Sequence, residues 1–169
     1  MLENLFNWSH SQIDSVNIIL EPILLQQLVA NETVFFSKKA AEKSIQIINE
    51  LSSDLVVNAD RNTVQLIFRN LFSNAIKFCR ENNTISISSQ IIEEKETIVF
   101  KDSGIGMSNE KLKKLFSSEI FTTLGTDNEK GTRLGLLLCE DFLNKTGGKI
   151  HIESVVGVGT TFYIQFGNN

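Results

Sequence analysis

The chain has 169 residues, 41% hydrophobic and 21% charged, which suits one globular domain with a real core and a short appended element. Its net charge of −4 argues against a broad polyanion surface, so no nucleic-acid partner is expected, although backbone N–H groups can still build a local phosphate site. No apolar run approaches the roughly 20 residues that span a bilayer, and Glu3, Asn4 and Asn7 interrupt any leader, so a cytoplasmic segment without direct membrane contact is expected, the parent protein being free to carry an anchor.

Residues 1–14 read as a helix, with Leu2, Leu5, Phe6 and Ile13 partly on one side. It is too short to stand alone in water, so it either continues an upstream helix or packs on the domain. Residues 16–20 read as a strand. Pro22 suits the first turn of a helix running to about Lys43, with Leu25, Leu28, Val29 and Phe36 at helical spacing. Ile45, Ile47 and Leu51 suggest a strand, and 55–57 another. Asp60 is a candidate N-cap for a helix over 61–80.

At about 100° per residue, Val64, Ile67, Leu71, Ala75 and Phe78 share one side of that helix. Asn70, Asn74, Lys77 and Glu81 form a polar stripe on another. Residues 84–92 and 97–101 read as strands joined by a charged turn at 93–96. The stretch 108–131 is rich in Ser, Thr, Asn, Lys and Gly, with one short helix near 110–117; loops of this length are usually lids or disordered. Residues 134–145 read as a helix stopped by Gly147, and 149–155 and 160–166 as two strands around a glycine turn. The expected fold class is α+β: a two-layer sandwich with a mixed sheet of about five strands and helices on one face. The two cysteines, Cys79 and Cys139, lie in helix-like stretches without a C-x-x-C pair, so buried thiols in a reducing compartment are expected rather than zinc ligands.

Four motifs follow in order: NLFSNAIKF at 70–78, DSGIGM at 102–107, GTRLGL at 131–136 and GVGTTF at 157–162. Amides at i and i+4 with a lysine at i+7 share a helix face. An amide oxygen is a hard ligand suited to Mg²⁺, and Lys77 could neutralise phosphate; a plain solvated face is the alternative. Asp102, at a strand end, can accept a hydrogen bond from an exocyclic amine such as adenine's, and Gly104 and Gly106 permit close approach; an ordinary turn is the alternative. Glycines opening a helix at 131–135 can aim N–H groups at an anion, or serve as a hinge. Thr160 could add a hydroxyl to the base-binding wall. There is no P-loop and no Rossmann fingerprint.

NLFSNAIKF resembles the N box of sensor histidine kinases, DSGIGM their G1 box, and GTRLGL with GVGTTF their G2 region. LFSSEIFTTLGTDNEKGT resembles their F box and ATP lid. The resemblance covers roughly 16–166 and implies the catalytic ATP-binding domain of such a kinase, with the Bergerat fold of the GHKL superfamily over 15–169 and a lid at about 108–131. LENLFNWSHSQ resembles the end of a dimerisation-domain helix, so 1–14 is expected to be the tail of that upstream element. By the same resemblance, Asn74 is the Mg²⁺ ligand and Asn70 the amide one turn earlier. Related ATPases carry a Glu there that activates water; an amide cannot, which favours phosphoryl transfer to a protein over hydrolysis. Lys77 is the phosphate-contacting lysine, and Phe78 the aromatic beside the nucleotide. Asp102 is the adenine reader, Gly104 and Gly106 are the G1 glycines, and Gly131 and Gly135 belong to G2, as does Thr160. The backbone from Gly131 through Thr132, Arg133, Leu134 and Gly135 is expected to hold phosphates. The implied cofactors are ATP and Mg²⁺. The implied partners are a His-containing dimerisation domain of the same parent and a response regulator receiver domain.

Two features depart from that pattern. Arg133 replaces the middle glycine of G2, where a side chain could obstruct the triphosphate or contribute charge to it. No phosphoacceptor box is visible: His10 sits in Trp-Ser-His-Ser and is expected to be an ordinary helix residue, and His151 lies in a late strand. The phosphorylated His is therefore expected upstream. The alternatives are a nucleotide-impaired, non-catalytic binding module of the same fold and, more remotely, a serine kinase of the anti-sigma type.

Overall fold

The computed structural model describes residues 18–115, 122–124, 126, 130–132 and 134–167. The expected helix over 1–14, His10 and Arg133 lie outside the described residues. Elements run β1 (Glu21–Leu24), α1 (Leu25–Glu42), β2 (Gln46–Asn49), β3 (Val56–Ala59), α2 (Arg61–Phe78), β4 (Thr84–Ile92) and β5 (Lys95–Asp102). Then come α3 (Asn109–Leu115), β6 (Thr122–Leu124), β7 (Lys130–Thr132), α4 (Leu134–Lys145), β8 (Lys149–Val155) and β9 (Gly159–Gln165).

A mixed five-stranded sheet runs β2-β4-β5-β9-β8. β2 is parallel to β4 and the other pairs are antiparallel. The helices cover one face, giving the expected α+β sandwich. Alternation drives this: Ile98, Phe100 and Asp102 of β5 are buried with Phe162 and Ile164 of β9, while Lys95 and Lys101 face water. An aromatic column joins the layers. Phe72 of α2 stacks on Phe36 of α1 at 5.6 Å and meets the Phe100 ring edge-on at 5.1 Å. The Phe68 ring lies 6.5 Å from that of Phe100. No helix among the described residues is long and apolar enough to cross a membrane.

The helix of the polar stripe begins where the cap predicts. Thr63 N–H donates to Asp60 Oδ1 at 2.8 Å, satisfying a free first-turn donor. The other oxygen, Oδ2, accepts from Ile19 N–H at 3.1 Å, so one carboxylate holds both the helix start and the incoming chain. The hairpin turn between β4 and β5 is only two residues, Glu93 and Glu94, both at positive φ (50° and 62°), the twist that suits adjoining antiparallel strands. Gly147, at φ +74°, ends α4 as expected.

The start of the chain differs from expectation. Residues 18–20 are not a strand, and Pro22 does not open a helix; it lies within β1, opposite Asn58 of β3. The fixed φ of proline suits an extended chain as well as a first helical turn, and a two-stranded ribbon leaves β1 an edge where the missing N–H costs nothing. The helix starts instead at Leu25, whose N–H reaches Leu55 O at 3.0 Å.

Candidate functional site

The last turn of α2 and the end of β5 meet. Ile105 N–H donates to Phe78 O at 3.0 Å, closing the Asp102–Met107 turn onto the helix end. The fit depends on glycine. A Cβ on Gly104 would stand 2.6 Å from Phe78 O and 2.8 Å from Asp102 Oδ1. Gly106 is at φ +64°, where a Cβ would come within 2.0 Å of Val155 O.

Asp102 is the buried charge of this end, at 4% exposure. Its Oδ1 accepts from Gly104 N–H at 2.9 Å and from Thr160 N–H at 3.3 Å, while Oδ2 takes neither. Burial pushes the carboxyl up from its ordinary 3.8 to about 6, against the lowering pull of those two N–H groups. The folded state thus keeps a proton, between about pH 4 and 6, that the unfolded chain has lost. This contribution to stability is fully present below about pH 4 and is lost as pH rises through 6. Between pH 7 and pH 5 the unmodified protein should therefore gain on the order of 1 kcal/mol over Asp102→Asn. Paired urea titrations at the two pH values check this; parallel curves for the two proteins would contradict it.

At the other end, α4 opens against the middle of α2. A Cβ on Gly135 would lie 2.0 Å from Asn70 Oδ1, so this glycine is what lets α4 approach the Asn70 carboxamide. The Asn70 amide group donates to Leu66 O at 3.1 Å and to Cys139 Sγ at 3.5 Å, which turns its oxygen towards the start of α4. The Asn74 carboxamide, half-buried one turn further on, makes no hydrogen bond among the described residues. From Asn70 to Phe78 the helix advances ~12 Å, so one rigid element joins the two ends.

Lys77 departs from the solvated-stripe alternative. It is buried at 8% exposure, and its ammonium lies 5.0 Å from the centre of the Phe78 ring. Phe78 in turn is half-buried beside this cation rather than in the core. Glu81 lies beyond the helix end, exposed. Thr126 clasps the carbonyls of α2: its N–H donates to Lys77 O at 3.0 Å, and its hydroxyl lies 2.9 Å from Cys79 O and from Lys43 Nζ. Gly131 and Thr132 lie in β7, and Leu134 is the first residue of α4.

The structure thus brings Phe78, Asp102, Gly104, Gly106 and Thr160 together at one end, and Asn70 and Gly135 at the other, with Asn74 and Lys77 between on α2. Sequence reasoning missed Ser154, Thr126 and Lys43. Ser154 carried a usable signal: it and Thr160 are equidistant from the turn between β8 and β9, so hairpin pairing sets them side by side. Thr126 and Lys43 carried none, because only tertiary packing joins them. Cys79 and Cys139 are fully buried free thiols, and burial pushes both up to about 12. His151 is exposed, 3.9 Å from Glu153. A groove of about 340 Å³ elsewhere runs past Pro22, Leu28 and Glu32. Its buried carboxylate, Glu32, is already held by Gln65 Nε2 at 2.6 Å and Arg69 Nε at 3.0 Å.

Residues 59–168 match the family described as Histidine kinase-, DNA gyrase B-, and HSP90-like ATPase, and the chain belongs to it. It is 32% identical over 161 residues to the sensor protein EvgS of Escherichia coli (strain K12), covering 90% of this chain and 13% of that protein. It is 31% identical over 166 residues to the sensor histidine kinase GacS of Pseudomonas protegens, covering 92% of this chain and 18% of that one. The chain therefore spans less than a fifth of these curated relatives. Among solved structures, the catalytic domain of histidine kinase ThkA superposes with TM-score 0.74 at 30% identity, covering 88% of this chain and 95% of that chain. ThkA in complex with the response regulator protein TrrA gives 0.72 at 27%, covering 98% and 47%. The fold is that of histidine kinase catalytic domains.

Proposed function

We propose that this chain binds Mg²⁺–ATP along α2 and presents the γ-phosphoryl to a histidine on a separate dimerisation domain of its parent, for relay to a response regulator. The observation that carries this reading is the arrangement along one helix. A buried carboxylate whose Oδ2 takes no hydrogen bond among the described residues lies at one end, and the start of α4, at Gly135, lies against the Asn70 amide oxygen at the other. Asp102 accepts from the adenine amine, with Phe78 beside the base. Lys77 and the N–H groups over 131–135 hold phosphates, where the start of α4 favours negative charge.

The donor set fits magnesium: the Asn74 carboxamide makes no hydrogen bond among the described residues, and the oxygen of Asn70 is turned towards the start of α4 by its two amide contacts. Bound there by Asn74, with Asn70 alongside, magnesium would neutralise charge on the phosphate oxygens. Phosphoryl transfer breaks the bond from the γ-phosphorus to the bridging oxygen and forms a P–N bond on the imidazole, so these residues need only position and stabilise. Position 70 offers no carboxylate to activate water, which favours transfer over hydrolysis. The relatives' descriptions as sensor kinases favour this reading over a non-catalytic module, and the partner in the ThkA–TrrA complex supports the receiver domain as recipient. Residues 1–14 fit as the tail of the dimerisation element.

Calorimetric titration tests the assignment. Asn74→Ala should bind ATP about tenfold more weakly than the unmodified chain in the presence of Mg²⁺, and equally well in EDTA. It should also fail to label the histidine of the parent's dimerisation domain. Equal affinity for ATP with Mg²⁺ would refute the metal role; no ATP binding by the unmodified chain would refute the whole reading.

A further inference from the structure

We propose that Ser154 is a positioning residue that sets the direction of the Thr160 hydroxyl, so that the base-binding wall presents only acceptors and selects a purine with an amine at C6 over one with a carbonyl oxygen. The proposal rests on the adenine reading above and adds to it a source of base selectivity.

Asp102, Thr160 and Ser154 form one row across three strands. Thr160 pairs with Asp102 of β5 on one side and with Ser154 of β8 on the other. Their side chains therefore lie on the same face of the sheet. Three contacts converge on Ser154 Oγ: Met107 N–H at 2.8 Å, Gly159 O at 3.0 Å and Thr160 Oγ1 at 2.9 Å. Each hydroxyl has a single proton. Met107 N–H can only donate, and Gly159 O can only accept. The Ser154 proton therefore goes to Gly159 O, and the contact with Thr160 is completed only if Thr160 donates.

The consequence lies on Thr160, which is 7% exposed. With its proton committed to Ser154, Thr160 Oγ1 has only lone pairs to offer. Its backbone N–H is also committed, to Asp102 Oδ1. The row then shows the base a carboxylate oxygen and a hydroxyl oxygen. A C6 amine donates to such a wall. A C6 carbonyl oxygen meets it acceptor to acceptor, a mismatch that leaves buried polar groups unpaired. Ser154 itself need not touch the ligand.

The test compares ATP with inosine triphosphate, which carries oxygen at C6, by calorimetry on the full chain. The unmodified protein should prefer ATP. Ser154→Ala frees the Thr160 hydroxyl to rotate and donate, and should reduce that preference about tenfold. Ser154→Thr, which keeps the hydroxyl, should restore it. A purely structural role would weaken both ligands together and leave the ratio unmoved. Thr160→Val removes the hydroxyl and should lower the ratio to a similar degree; an unchanged ratio there overturns the proposal even if Ser154→Ala does not fold, because the hydroxyl that Ser154 directs would then not read the base. An unchanged ratio in the folded variants overturns the role of Ser154 while the ATP site stands; absence of ATP binding by the unmodified protein overturns both.

Discussion

Replacing Asp102 with asparagine should weaken ATP binding by about 100-fold, since a charged hydrogen bond in a buried site is exchanged for a mismatch. Oδ1 is fixed by the N–H groups of Gly104 and Thr160. An asparagine would keep both bonds with its carbonyl oxygen. That places its NH₂ where the adenine amine must donate, donor against donor. The fold should survive, because the substitution removes a buried ionisable group while keeping both internal bonds. Calorimetry on folded Asp102→Asn reads the result; affinity within tenfold of the unmodified protein would mean that the base is held elsewhere.

Phe72→Ala should lower stability by about 4 kcal/mol, the usual scale for removing a fully buried aromatic ring and leaving a cavity. Phe72 is the central ring of the column: it stacks on Phe36, meets Phe100 edge-on, and has no solvent exposure. Neither neighbour can follow easily, since Phe36 belongs to α1 and Phe100 to the middle of the sheet. Urea unfolding of the two proteins measures the difference. A loss below about 1 kcal/mol would show that the layers are held together mainly by other contacts.

What could be read from the residues alone follows the range of the forces involved. The start of α2 was legible because Asp60 and Thr63 are three residues apart and the cap is local. The end of β5 at Asp102 was legible because alternation gives way to a Ser-Gly turn. Pro22 was misplaced because the same φ serves a strand and a helix start, and the choice is made by pairing with Asn58, far along the chain. Lys77 is charged and lies on the polar stripe, so nothing local revealed its burial under packed neighbours. The resemblance to a known family supplied most of the site, yet the contact of Gly135 with Asn70 comes from how α4 packs on α2, and no spacing encodes that distance.

Asp60 has a mechanical consequence. The chain arriving through Ile19 is tied to the carboxylate that caps α2, ahead of the first strand pair, and α2 carries Asn74 and Lys77 four and five turns on. Tension or torque delivered along that incoming chain is loaded onto the helix of the candidate site before it reaches the five-stranded sheet.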